Sequence, residues 1–230
     1  MRSFFNVDGP FISGLTKVAD VFILNLLLIL CSLPIFTFGA AYTAMHYVTL
    51  KMVKDEDCYI AKSFFKSFKQ NFKQSTIIWL IMLLIGFVLY FDLRVMNGEY
   101  ADIVSISDSF KKVMSVLLMA ATVFYTFTIV YVFPVLARFD NSVKNTMRNA
   151  LLMSIKHFPY TLAIILITFA PLIFIYLSPR ALILVFVIFG LIAYCNSFFF
   201  VKIFEQYMPK EEIKSDEEFE VVMEENKGDY

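Results

Sequence analysis

The sequence predicts an all-α protein, a polytopic membrane helix bundle with about five to six membrane segments and two amphipathic helices. Hydrophobic residues make up 59% of the 230 residues, and the mean hydropathy is +0.70, well above the balance of soluble domains. Five long runs contain no Asp, Glu, Lys or Arg: residues 21–50, 74–91, 113–137, 157–179 and 181–201. A helix of about 20 apolar residues is long enough to cross the hydrocarbon core of a bilayer.

The first charge-free run, residues 21–50, is too long for one straight membrane helix. Its length corresponds to about 45 Å at the helical rise of 1.5 Å per residue. Pro34 lies near its centre and disfavours continuous helix at its own and the preceding position, and Thr37 and Gly39 follow closely. The sequence therefore predicts a break at residues 34–39. Two arrangements remain open, namely one tilted and kinked span, or two short helices that return to the starting side.

Residues 59–73 predict an amphipathic helix directly before the second run, residues 74–91. One face is apolar at helical spacing, with Ala61, Phe64, Phe65, Phe68 and Phe72. A narrow arc beside that face carries four lysines: Lys62, Lys66, Lys69 and Lys73. We expect this helix to lie in the headgroup region, with its lysines reaching anionic lipid. Packing against a soluble partner is the alternative.

The third run, residues 113–137, follows a candidate helix cap at Ser107 or Asp108. Pro134 is expected to interrupt this span near its end. The basic segment 138–156 then predicts a second amphipathic helix, because its apolar residues recur at helical spacing.

The last two runs, residues 157–179 and 181–201, predict an antiparallel helical hairpin. Arg180 alone separates them. Ser178 suits the N-cap of the second helix, and Pro179 suits its first helical position.

The distribution of Lys and Arg predicts the orientation in the membrane. Segments 51–73 and 138–156 carry ten of these residues, whereas segment 92–112 and position 180 carry four. The positive-inside rule therefore places both amphipathic helices and the C-terminus in the cytoplasm. The side of the N-terminus depends on which arrangement the first run adopts.

Charge also divides the chain into two parts. We expect a helical membrane domain over residues 1–208, which has a net charge of +6, and an acidic tail over residues 209–230, which has a net charge of −6. A short acidic segment is typically solvated. A docking role against a basic partner surface is the alternative.

The sequence contains no arrangement typical of an enzyme. It has no G-x-S-x-G, H-E-x-x-H or phosphate-loop motif. Its cysteines, Cys31, Cys58 and Cys195, are too scattered for a metal site or a disulfide framework. We therefore expect a protein without catalytic residues, cofactor or metal.

Polar and helix-breaking positions within the runs are the candidate functional residues. The runs contain no charged side chain of the kind that marks a proton path, which argues against a proton-coupled pump. The candidates are Asn25, Pro34, Thr37, Gly39, His46 and Asn196. Polar side chains in membrane helices either hydrogen-bond between helices or contact a substrate, and both interpretations remain open here.

Four stretches near the N-terminus resemble a known family. Residues 25–27 (NLL), 31–41 (CSLPIFTFGAA), 47–56 (YVTLKMVKDE) and 63–74 (SFFKSFKQNFKQ) resemble the YesL-like family of bacterial integral membrane proteins, the domain of unknown function 624. The resemblance implies a small helical protein of the bacterial plasma membrane. It also implies genes that often lie beside carbohydrate uptake genes, including those of ABC sugar importers. The family implies no reaction and no catalytic residue.

These observations favour a non-enzymatic accessory or regulatory membrane protein linked to carbohydrate uptake. Its expected partners are the lipid bilayer, anionic headgroups and ABC sugar-transporter subunits, and we expect no nucleic acid among them. The alternative is a small permease whose polar path passes Asn25, Thr37 and Asn196.

Overall fold

The computed structural model describes residues 10–56, 59–97, 107–178, 180 and 184–208. These ranges contain seven α-helices: α1 Pro10–Cys31, α2 Phe38–Val53, α3 Ile60–Met96, α4 Asp108–Arg138, α5 Val143–Lys156, α6 Phe158–Leu177 and α7 Val185–Phe204. All of these helices except α2 and α5 contain a stretch long and apolar enough to cross a membrane. The predicted all-α, polytopic architecture is confirmed. The acidic tail, residues 209–230, lies outside the described residues.

The first run forms two helices that fold back on each other. The α-helical structure stops after Cys31, and the short 3₁₀ turn Ile35–Thr37 precedes α2. Lys17, near the start of α1, forms an ion pair of 2.7 Å with Asp55, just beyond the end of α2. The start of α1 and the end of α2 therefore lie at the same end of the bundle. The predicted break near Pro34 is confirmed, and the returning helix pair is the arrangement adopted.

Helix α2 is the central helix of the bundle. It packs against α1, α3, α4 and α7, and eleven of its sixteen residues are buried. A helix that is apolar on all sides is typical of a protein core. At 16 residues α2 is also about 24 Å long, shorter than the hydrocarbon core. It is therefore enclosed by the neighbouring helices and not surrounded by lipid.

Helix α3 joins two elements that the sequence analysis treated as separate. The amphipathic segment 59–73 and the apolar run 74–91 lie within one helix of 37 residues. No Gly or Pro occurs between Ile60 and Ile85, so nothing interrupts the backbone hydrogen bonds where the composition changes. The predicted apolar face is confirmed in part, since Phe64 is fully buried while Phe65 is 43% exposed.

Two further boundaries differ from the sequence-based prediction. Helix α4 continues through Pro134 to Arg138, and Pro134 is buried within the packed last two turns of the helix. Tertiary packing there holds the helix together although the proline removes one hydrogen bond. Ser178 follows the end of α6 and does not cap α7, which begins at Val185. The predicted first helical position, Pro179, lies outside the described residues.

Large apolar side chains cover the surface of the spanning helices. Leu84 and Phe87 on α3 are 65% and 67% exposed, and Val116 on α4 is 69% exposed. Soluble monomers rarely expose contiguous apolar surface on this scale, whereas a bilayer solvates it. The chain is a multi-pass membrane protein.

Candidate functional site

Asn25 links α1 to the start of α7. Its side-chain Nδ2 donates a hydrogen bond to the carbonyl oxygen of Val185 at 3.0 Å, and its Oδ1 accepts one from the backbone N–H of Gly190 at 2.9 Å. The residue is fully buried. Both ends of the amide therefore bond α7. Of the two predicted interpretations, hydrogen bonding between helices and contact with a substrate, this arrangement is the first.

The turn between α1 and α2 is held by two side chains. The Thr37 hydroxyl lies 2.6 Å from the carbonyl oxygen of Cys31 and 2.7 Å from that of Pro34, and it donates to these acceptors. The indole N–H of Trp79, on α3, donates to the carbonyl oxygen of Ile35 at 2.8 Å. The Thr37 hydroxyl gives the Cys31 carbonyl at the end of α1 a donor. The carbonyls of Pro34 and Ile35 also accept backbone N–H groups within the turn, so the two side chains add a second bond to each. Pro34 itself is exposed.

Gly39 lies at the closest approach of α2 to α3. A Cβ atom at this position would lie 2.7 Å from the carbonyl oxygen of Ser75 and 2.7 Å from Cβ of Trp79. Contacts of that length do not occur between such atoms, so the position requires glycine for packing. The predicted helix-break position is therefore also a contact point between two helices.

His46 is a buried imidazole near the middle of α2. It is 1% exposed, and neither ring nitrogen has a hydrogen-bond partner among the described residues. Its neighbours are aromatic, with the ring centroid of Tyr42 at 4.7 Å and that of Phe200 at 5.9 Å, both edge to face. A buried polar group without a partner costs free energy, so His46 is the position where the described interior is least satisfied.

Asn196 joins α6 to α7. Its Nδ2 donates to the hydroxyl of Thr168 at 2.9 Å, whereas its Oδ1 has no partner among the described residues. Asn25, Thr37 and Asn196 each bond a different part of the bundle: α1 to α7, the turn before α2, and α6 to α7. Their hydrogen bonds do not join them in one cluster.

A polar link between α4, α5 and α6 was not predicted from the sequence. The hydroxyls of Tyr131 and Thr161 lie 2.8 Å apart, and Thr161 also donates to the carbonyl oxygen of Ser154 at 2.7 Å. Tyr131 lies six residues inside its charge-free run, away from the membrane interface where tyrosine is common. Its position within the run was the sequence signal that could have indicated a buried hydrogen bond.

The lysine row of α3 faces solvent or lipid. All four of its side chains are exposed, while Phe64 on the opposite side of the helix is buried. This charge distribution matches the predicted amphipathic pattern. A row of exposed cations can contact anionic headgroups or an acidic protein surface.

A groove lies beside α5, at the end of the bundle where α7 also ends. It has a volume of about 680 Å³ and is lined by Phe139, Asn141, Asn149, Leu152, Met153, Ile155, Lys156 and Tyr207. We call it the α5 groove. Tyr207 is fixed there, because its hydroxyl lies 3.0 Å from Nε2 of His157 and the Lys156 ammonium lies 4.9 Å from its ring centroid. Burial, and secondly the charge of Lys156, lowers the pKa of His157.

Residues 21–93 match the family described as "Protein of unknown function, DUF624". This part of the chain is similar to that family. The matched segment runs from Val21 in α1 through the returning pair and along nearly all of α3. The resemblance seen in the sequence is thereby confirmed, and the DUF624 segment contains every predicted site residue except Asn196.

A match to one further protein extends beyond the DUF624 segment. The chain is 26% identical over 190 residues to "Uncharacterized protein YteU" of Bacillus subtilis (strain 168), and the match covers 81% of this chain and 80% of that protein. No solved structure matches the chain.

Proposed function

We propose that the protein is a non-enzymatic accessory or regulatory component of the bacterial plasma membrane, linked to carbohydrate uptake. It would act through contacts with lipid and with subunits of a sugar transporter. The observation that supports this proposal is the use of the buried polar side chains. Asn25, Asn196 and Tyr131 bond neighbouring helices, and Thr37 bonds the turn before α2.

The positions that a permease would need for a polar path are occupied by structural bonds. Asn25 and Thr37 bond backbone groups, and Asn196 bonds Thr168. Two cavities among the described residues lie at the end of the bundle where α2, α4 and α7 end, and neither is lined by these three residues. A protein whose candidate polar residues bond within the bundle and whose exterior carries a basic row is suited to contact other molecules at its surface.

The exposed cations supply the surface for such contacts. The lysine row on α3 and the basic helix α5 together would form the cytoplasmic side under the positive-inside rule. Lys17 and Asp55 pair at the end of the bundle from which α3 starts, so the N-terminus would share that side. The link to carbohydrate uptake comes from the resemblance to the YesL-like family, whose genes often lie beside those of sugar importers.

Purification from native membranes tests the accessory role. The full chain with an N-terminal affinity tag is isolated in mild detergent, and bound proteins are identified by mass spectrometry. We expect a permease subunit to be retained by the wild type and lost when Lys62, Lys66, Lys69 and Lys73 are all changed to Gln. The control changes two exposed lysines outside the row and outside α5 to Gln: Lys112 and Lys202. Equal recovery from both variants would exclude the lysine row as the contact surface.

Labelling with a membrane-impermeant thiol reagent tests the orientation. In a variant without the natural cysteines, we expect Tyr59→Cys and Gln206→Cys to react only after the membrane is permeabilised. Asn97→Cys, at the opposite end of α3, is expected to react in intact cells. All three positions are exposed, so access to the reagent depends on the side of the membrane. The reverse pattern would contradict the proposed topology.

A small permease is the second candidate, and His46 favours it. Both ring nitrogens of His46 and the Oδ1 of Asn196 are buried without partners, as polar groups that bind a guest would be. Purified protein in liposomes, tested with labelled mono- and disaccharides, distinguishes the candidates. Sugar uptake into liposomes that contain this protein alone, lost in His46→Phe and kept in the control His157→Phe, would replace the accessory proposal with a permease.

A further inference from the structure

We propose that the acidic C-terminal segment, residues 209–230, docks in the α5 groove of the same chain. This inference does not depend on the link to carbohydrate uptake, because it rests on the groove, the charge of α5 and the point at which the segment begins.

The α5 groove presents an apolar floor with a polar rim. Leu152 and Ile155 line it and are 52% and 46% exposed. Asn149 and Lys156 contribute polar groups beside them. Two large aliphatic side chains next to an amide and an ammonium form a surface that fits a peptide with mixed apolar and acidic side chains.

The helix that forms the groove is basic throughout. Lys144, Arg148 and Lys156 are exposed on α5, and the helix contains no acidic residue. Lys144 and Arg148 are four residues apart and therefore lie on the same face. The segment 209–230 has nine acidic residues and three lysines, which gives it a net charge of −6. The two surfaces are complementary in charge.

The segment also contains the apolar residues that the floor would accept. Phe219, Val221, Val222 and Met223 lie between acidic residues on both sides. Carboxylates beside these residues would face the cations of the rim while the apolar side chains cover Leu152 and Ile155. A fully solvated acidic tail has no need of such a cluster.

The segment begins next to the groove. Tyr207 lines the groove, and the segment begins two residues later. Phe219 is eleven residues beyond Met208, a reach of up to about 36 Å for an extended chain. Helix α5, with 14 residues, is about 21 Å long. The tether allows every part of the groove to be reached and raises the effective concentration of the segment to the millimolar range.

Anionic lipid headgroups are the competing occupant, since the same cations attract them. Binding of headgroups to the groove does not depend on the charge of residues 209–230, whereas docking of the segment does. This difference separates the two occupants experimentally.

Cross-linking of the full chain tests the proposal. In a variant without the natural cysteines, Asn149→Cys in the groove is combined with Val222→Cys in the segment and treated with a short bismaleimide. Gln70→Cys, an exposed position on α3, replaces Asn149→Cys in the matched control pair. Mass spectrometry quantifies the linked peptides. We expect at least about fivefold more intramolecular product from the groove pair, and equal yields from the two pairs would overturn the proposal.

Charge reversal adds a second readout. Lys144→Glu with Arg148→Glu is expected to reduce the cross-link about fivefold or more, whereas Lys62→Glu with Lys66→Glu leaves it unchanged. No loss in the first variant would contradict docking by charge. The third readout is the reactivity of Asn149→Cys toward a maleimide in phosphatidylglycerol vesicles. It is compared between a chain with the normal segment 209–230 and a chain in which the nine acidic residues of that segment are changed to Gln or Asn. Greater reactivity in the amide variant supports docking, and equal protection in both identifies the headgroup as the occupant.

Discussion

The contact between α2 and α3 at Gly39 can be tested by adding one methyl group. In Gly39→Ala the new Cβ would lie 2.7 Å from both the Ser75 carbonyl oxygen and Cβ of Trp79, and 3.1 Å from the Phe133 ring. The first two distances are about 0.7 Å short of a normal van der Waals contact. Both atoms belong to backbone or lie next to it, so rotation of a side chain cannot relieve the overlap. Helix α3 must move away from α2.

The expected cost follows from overpacking and helix propensity. Inserting a methyl into a closely packed interior typically costs about 1–3 kcal/mol. Alanine regains part of the roughly 1 kcal/mol by which it exceeds glycine in a helix interior, and less than that here, because Gly39 lies in the first turn of α2. We therefore expect the free energy of unfolding to fall by about 1–2 kcal/mol.

A matched substitution separates packing from propensity. Gly14 lies in α1, and no atom outside its own helix surroundings lies within 4 Å of a Cβ at that position. Gly14→Ala should therefore be neutral or stabilising by up to about 1 kcal/mol. The difference between the two variants, about 1–3 kcal/mol, isolates the contact with α3.

The assay is reversible unfolding in mixed micelles, driven by SDS and followed by circular dichroism. Fluorescence gives a local reading as well, because Trp79 is the single tryptophan of the chain and lies at the contact. A Gly39→Ala variant as stable as Gly14→Ala, with unchanged Trp79 emission, would refute the close packing of α2 on α3.

Three hydrogen-bond deletions can be measured in the same assay. Thr37→Val should lower the free energy of unfolding by about 1 kcal/mol, because the Cys31 carbonyl loses its side-chain donor. Asn25→Ala should cost about 1–2 kcal/mol, since it removes two bonds between α1 and α7. Tyr131→Phe keeps the ring and loses the bond to Thr161, so about 0.5–1.5 kcal/mol is expected. Thr128→Val is the control for all three, since the Thr128 hydroxyl bonds within its own helix, and a loss as large as theirs would contradict the assignments.

The elements with a local signal could be predicted from the sequence. Pro34 restricts its own backbone and that of its neighbour, so the break after Cys31 follows from two adjacent residues. The exposure of Lys62 and Lys66 and the burial of Phe64 follow from the helical period within one turn. Such features require no knowledge of distant parts of the chain.

The elements that depend on distant residues could not be predicted. The return of α2 beside α1 depends on packing between residues far apart in the chain, and the pair Lys17 and Asp55, 38 residues apart, marks where the two helices meet. The continuity of α4 through Pro134 depends on burial against the other helices, which overrides the local preference against helix. A change in composition at Gln74 suggested a boundary in α3, but composition does not end a helix without a residue that breaks it.

The residues of the candidate site also divide into those that the sequence predicted and those that depend on distant partners. The sequence indicated that Asn25 and Asn196 bond between helices or contact a substrate, and the structure assigns hydrogen bonds between helices to both. Tyr131 and Thr161 were missed because a threonine in a helix usually bonds its own backbone, and its partner here lies 30 residues away.

The enclosed position of α2 constrains how the chain can mature during synthesis. Thr49 of α2 accepts a hydrogen bond from Ser197 of α7, 148 residues later, so the surroundings of α2 are complete only once α7 has been made and inserted. Until then the nascent chain presents α2 to lipid or to the insertion machinery. Completion of the environment of α2 therefore depends on the insertion of α7.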